Sequence, residues 1–266
     1  MNRIDAVFKG LKRRKQKALI AFVTAGDPSL EVTRQFLRFA EEAGVDLVEL
    51  GVPFSDPLAD GPVIQASSFR ALKKHVNLSA ILKLVREERR RGLKIPVLLM
   101  TSVNPIHYFG IKKALAAAKI SGIDGFIVPD LPIQESGEML KLATAFGLHD
   151  VLMLTPTTTR DREKKIVRKG HGFLYYVSLT GVTGERKRGD FPFRGEIGRL
   201  RRASRTPVCV GFGISTPDQA RSIARFSDGV IVGSAIVRHL DAHSKRGLSP
   251  ASKRLVRGFV NAVKRP

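Results

Sequence analysis

Short apolar runs alternate along this chain with longer segments in which apolar residues recur every three or four positions. The short runs are Ala18–Thr24, Asp46–Gly51, Pro96–Thr101, Gly125–Val128, Asp150–Leu154, Phe173–Ser178, Pro207–Gly211 and Gly229–Val232. Their length and β-branched content read as strands. The longer segments include Glu31–Ala43, Leu78–Arg91, Ile111–Ile120, Gln134–Phe146, Arg160–Arg168, Arg194–Ala203 and Pro217–Ala224, and their spacing reads as amphipathic helices. Strands alternating with helices form parallel βαβ units. Eight strands in one series predict an α/β fold of one type, a single (β/α)8 TIM barrel with extra helices. No linker or low-complexity tract divides the chain, so residues 1–266 read as one domain. The segment Pro250–Val263 is expected as a last helix outside the barrel.

On such a barrel, chemistry gathers where strands end and the next loops begin. The second strand, Asp46 to Gly51, places Leu47, Glu49 and Gly51 on one face and Val48 and Leu50 on the other. Glu49 is therefore expected to point into the barrel near its mouth. Apolar surroundings raise a carboxyl pKa, which suits proton transfer near neutrality. A buried Glu paired to a basic strand residue is the alternative, but the inward positions of the strands hold no Lys or Arg. The following loop, Val52 to Pro62, carries Asp56 and Asp60. Taken alone, Asp60 reads as a cap for a helix starting near Pro62, and Asp56 as a turn residue before Pro57.

Glycine-bearing turns after the last two strands suggest a phosphate site. Gly211 and Gly213 bracket Phe212, and Gly233-Ser234 opens a short helix, Ala235–Leu240. Backbone N–H groups and a helix N-terminus bind phosphate in this part of many barrels. Turns and caps with no ligand would use the same residues. The loop 180–193 is polar and carries Arg186-Lys187-Arg188, a pattern suited to a mobile lid.

Composition narrows the classes. Apolar residues make up 43% of 266, and their longest runs are strand-sized, too short to span a membrane. A basic N-terminus with no signal-peptide core makes a cytoplasmic protein the simple expectation. Cys209 lies alone in an apolar run and reads as a buried hydrophobe. The 46 Lys and Arg against 24 Asp and Glu give a net charge of +22. The charge is dispersed and no nucleic-acid signature accompanies it, so nucleic acid is not expected as a partner.

The run Val48-Glu49-Leu50-Gly51-Val52-Pro53-Phe54-Ser55-Asp56-Pro57-Leu58-Ala59-Asp60-Gly61 resembles the signature of tryptophan synthase α subunits. So do Phe22 to Pro28, Val128 to Pro132, Gly181 to Gly184, Gly211 to Ser215 and Gly233 to Val237, in order along essentially the whole chain. The resemblance implies reversible retro-aldol cleavage of indole-3-glycerol phosphate to indole and glyceraldehyde 3-phosphate. It makes Glu49 the proton shuttle and sets Asp60 against the ring N–H. It adds Gly184 to the phosphate residues Gly211, Gly213, Gly233 and Ser234, and gives Thr183 a carboxylate to hydrogen-bond. Phe22, Leu131, Tyr175 and Phe212 become candidates to hold the indole, although each also fits ordinary barrel core. Asn104 is implied both at the substrate and at a partner. No metal or organic cofactor is required. The implied partner is a pyridoxal-phosphate β subunit in an αββα complex, with contacts near Pro53, Asp56, Asn104 and Pro132. A stand-alone lyase and a non-catalytic activating subunit are the alternatives. One departure stands out: Ser102 occupies a place where the family commonly has an aromatic residue.

Overall fold

The computed structural model describes residues 1–57, 60–178, 191–211, 213–244 and 246–265. The strands are β1 (Ala18–Thr24), β2 (Leu47–Gly51), β3 (Val97–Met100), β4 (Gly125–Ile127), β5 (His149–Asp150), β6 (Met153–Leu154), β7 (Leu174–Val177), β8 (Val208–Gly211) and β9 (Gly229–Val232). All pair in parallel, in the order β5-β4-β3-β2-β1-β9-β8-β7-β6. The two ends of that order, β5 and β6, are halves of one strand. Between them Val151 donates to the Phe126 carbonyl at 2.8 Å, and the Leu152 carbonyl accepts from Tyr175 at 3.0 Å. The sheet therefore curls round on itself as the TIM barrel that the strand–helix alternation predicts.

Side chains alternate as the pleat demands. Ile20, Leu47, Leu98, Ile127, Val151, Tyr175, Cys209 and Ile231 share one buried cluster, the barrel interior. Val48, Leu50, Leu99, Val210 and Val232 join a second, between strands and helices. The helix α2 (Leu30–Ala43) shows how the outer layer is built. The Ser29 hydroxyl caps its start by accepting from Val32 N–H. Val32, Phe36 and Ala40 recur on its buried face, and Gly44, at φ 87°, ends it in the left-handed region.

Three helices went unforeseen or only half-seen in the sequence. The helix α1 (Arg3–Arg13) closes the base of the barrel, burying Ile4, Phe8 and Leu11 against Phe173 and the interior cluster. Asn2 fixes it, accepting from Ile4 N–H and donating to the Asp124 carbonyl at 2.8 Å. At the other end, α3 (Pro62–Leu72) follows the Asp60 loop and α5 (Val103–Phe109) follows β3.

The base is held by three aspartates, each just before a strand and each accepting from the N–H of a residue on the adjacent strand. Asp46 accepts from Leu19 at 2.7 Å, Asp124 from Val97 at 2.9 Å and Asp228 from Val208 at 3.0 Å. Each is also paired with cations: Lys264 for Asp46, Arg3 and Arg89 for Asp124, and Arg201 for Asp228.

Candidate active site

Glu49 sits mid-way along β2, in register with Phe22 of β1 and Leu98 of β3. It is fully buried, and among the described residues neither carboxylate oxygen has a hydrogen-bond partner. Burial without compensation pushes its pKa up to about 8, so the group is a neutral acid at pH 7. Its nearest titratable neighbours include Tyr175, buried on β7, whose phenol is pushed well above its usual value. Burial is the main cause, and the charges of Glu49 and Asp60 add to it. Cys209 on β8 is raised in the same way, chiefly by burial, so it is no thiolate nucleophile.

Asp60 approaches from the loop after β2. It does not cap α3: the N-cap is Gly61, and the helix start takes no side-chain hydrogen bond. Instead the Asp60 carbonyl accepts from Gln65 at 2.8 Å, tying the loop to the first turns of α3. The carboxyl is pushed up to about 6, first by burial and then by the negative charge of Asp130. Glu49 and Asp60 thus occupy different protonation states near pH 7.

A cavity of about 650 Å³, counting its solvent-open part, lies at this mouth. Phe22 and Gly51 form its floor. Asp60, Met100, Ser102, Asn104 and Pro129 also line it. Phe22 fits because its neighbours lack side chains. A Cβ at Gly51 would come within 2.6 Å of the ring, and one at Gly233 within 3.3 Å.

The Gly233 contact joins the cavity to the second part of the site. Gly233 is the N-cap of α11 (Ser234–His243), so Ser234 opens the helix rather than capping it. Gly211 ends β8, where a Cβ would meet the Tyr175 hydroxyl at 2.6 Å. Gly213 adopts φ 73°, a conformation that excludes most side chains. These glycines bring bare backbone and a helix N-terminus to the mouth beside Phe22, a setting suited to a phosphate.

Of the remaining expected residues, Asn104 lines the cavity, on α5. Leu131 packs half-buried against the outer apolar layer, while Pro129 and Asp130 of the same loop line the cavity instead. Thr183, Gly184 and Phe212 lie outside the described residues. The sequence reading missed Asp130. Its side chain accepts from Val103 N–H at 2.9 Å, at the start of α5. Its sequence signals were its position after a strand and its place in the Val128 to Pro132 stretch that resembles the family. Asp150 also has a raised pKa, about 7, owing to burial, but it alternates with inward-facing Val151 and so points away from this site.

Known proteins resemble this chain in sequence and in fold. The sequence model described as tryptophan synthase alpha chain matches residues 8–263. The tryptophan synthase alpha chain of Geotalea daltonii is 47% identical over 93% of this chain and 94% of its own length. That of Geobacter sulfurreducens is 45% identical over 99% of this chain and 98% of its own. Among solved structures, the α subunit of tryptophan synthase from Legionella pneumophila superposes with a TM-score of 0.91 at 36% identity, covering 99% of this chain and 98% of that one. A tryptophan synthase structure from M. tuberculosis, in an aminoacrylate-bound form, gives 0.87 at 29% identity over 99% and 100%. By sequence and by fold, the chain belongs to the tryptophan synthase alpha chain family.

Proposed function

We propose that Glu49 and Asp60 carry the reaction of this chain. The chain is a lyase of tryptophan biosynthesis that cleaves indole-3-glycerol phosphate to indole and glyceraldehyde 3-phosphate. The observation that supports the assignment is Glu49: a fully buried carboxyl whose two oxygens find no partner among the described residues, with a pKa near 8, at the mouth of an apolar barrel.

Such a group holds a proton to give. Glu49 protonates the ring carbon that bears the glycerol side chain, and positive charge appears on the ring nitrogen. Asp60, ionised above about pH 6, lies against that N–H and stabilises the charge as it develops. The Glu49 carboxylate then takes the proton of the adjacent hydroxyl. The carbon–carbon bond breaks, its electron pair returns to the ring, and an aldehyde forms. Glu49 ends protonated, as it began. The ring lies over Phe22, with Tyr175 beneath, and the phosphate lies at Gly211, Gly213, Gly233 and Ser234. Thr183, Gly184 and Phe212 complete the set as the family pattern implies.

Residues 1–266 act as one barrel domain in this reading. Among the described residues no helix is long and apolar enough to cross a membrane, in keeping with a cytoplasmic enzyme. The partner is a β subunit in an αββα complex, docked over the mouth near Pro53, Asp56, Asn104 and Pro132. The fully exposed Tyr108 on α5, beside Asn104, supports that face.

The test is indole release from indole-3-glycerol phosphate by the purified chain, alone and with a β subunit. Release is expected in both, and faster with the partner. Its absence in both removes the reading.

A further inference from the structure

The cavity is not symmetric about the proposed substrate. The glycine turns proposed to hold the phosphate follow β8 and β9. Apart from Phe22 of β1, the cavity walls come instead from the ends of β2 and β3 and the segments after β2, β3 and β4. A substrate spanning both parts lays its glycerol phosphate toward β8 and β9. The far edge of its ring then points toward β3 and β4. The lining there sets the small polar side chains of Thr101, Ser102 and Asn104 beside Met100 and Pro129, with Ser68 of α3 also at the cavity.

Ser102 is the position that leaves this wall open. It is the N-cap residue of α5, with extended backbone at φ −68° and ψ 160°, which any residue adopts. Its hydroxyl makes no capping bond. Among the described residues its carbonyl is engaged, by Thr101 Oγ1 at 3.1 Å, and its hydroxyl is not. Nothing in the fold requires serine there, and a larger side chain would close the space without breaking a hydrogen bond.

We propose that Ser102 sets the ring specificity of this enzyme, and that the pocket accepts indoles bearing a small substituent on the benzo edge remote from the glycerol chain. This rests on the proposed placement of the ring against Asp60. A hydrophobic pocket tells apart substrates differing by one methylene by roughly 10–200-fold. A pocket with room to spare loses that discrimination, and one filled from the wall regains it.

The experiment runs the reaction in reverse, condensing glyceraldehyde 3-phosphate with indole, 5-methylindole or 6-methylindole, on the full chain. The expected result is kcat/KM for at least one methylindole within about tenfold of indole, a gap at the low end of that range. Ser102→Phe should lower the methylindole values at least tenfold more than the indole value. Ser102→Ala, which removes the hydroxyl but keeps the space, should leave the ratio unchanged. The proposal is overturned if the native chain rejects both methylindoles by more than about 100-fold. It is equally overturned if Ser102→Phe lowers all three substrates in parallel, or if Ser102→Ala changes the ratio as Ser102→Phe does. Failure on indole itself would instead bring down the assigned function, so the two failures are distinguishable.

Discussion

The two ends of the barrel treat buried carboxylates in opposite ways. At the base, Asp46, Asp124 and Asp228 each take a strand N–H and a Lys or Arg. At the mouth, Glu49 has no hydrogen-bond partner among the described residues, and both influences on Asp60 push its pKa upward. The base carboxylates tie strands to strands and to α1, α4 (Leu78–Arg90) and α12 (Pro250–Lys264). The mouth carboxylates contribute nothing comparable to the fold. An unpaired buried acid persists where the surrounding structure can carry its cost, and its value is chemical.

If that contrast holds, variants at the two ends should separate activity from stability. Glu49→Gln should give the largest effect on rate, a loss of at least about 10³-fold in kcat, because it removes the proposed proton shuttle. Binding of a non-cleavable indole alkyl phosphate should stay nearly intact. Parallel loss of binding and turnover would make Glu49 structural. The same variant sharpens the stability side. In the fold Glu49 keeps its proton up to about pH 8, whereas its ordinary value is 4.5. Its burial therefore carries no ionisation penalty below about pH 4.5, and the folded state loses stability as pH rises toward 8, by on the order of 5 kcal/mol. Thermal melts of Glu49→Gln should lack this decline.

Asp60→Asn should cost about 10²–10³-fold in kcat/KM, the usual worth of one charge-stabilising group. The native pH–rate profile should be bell-shaped. It should fall below about 6 as Asp60 is protonated and above about 8 as Glu49 loses the proton it must donate. A flat profile across that window would break the two-carboxylate account. At the base, Asp124→Ala should leave kcat at 25 °C nearly unchanged but destabilise the chain by about 3 kcal/mol in denaturant melts, because Arg89 loses its buried partner. Equal effects on rate and stability would erase the distinction between the ends. The smallest effect is expected from Gly51→Ala, whose new methyl displaces Phe22 from the cavity floor. A loss of about tenfold in kcat/KM is expected, partly restored by adding Phe22→Leu, which makes room again.

Much of this was legible in the sequence, for physical reasons. The strands are continuous apolar runs because a parallel sheet is buried on both faces, so β1 and β9 fall where the sequence puts them. The inward position of Glu49 followed from alternation alone. The helix α1 was hidden because Lys9, Lys12 and Arg13 dominate its composition. Its signal was the spacing of Ile4, Phe8 and Leu11 behind Asn2. The break in the fifth strand had no marker. The state of Asp60 was beyond reach from its own loop, because Asp130, which helps to set it, arrives from the segment after β4. The aspartates of the base were missed for the same reason: their partners come from distant segments.

The most direct test is the titration of Glu49 itself, followed by its carboxyl ¹³C resonance, assigned by its absence in Glu49→Gln. The account predicts a midpoint near pH 8 in the folded chain. A midpoint near the ordinary 4.5 would mean that Glu49 is ionised at neutral pH and has no proton to give, which would contradict the mechanism at its first step.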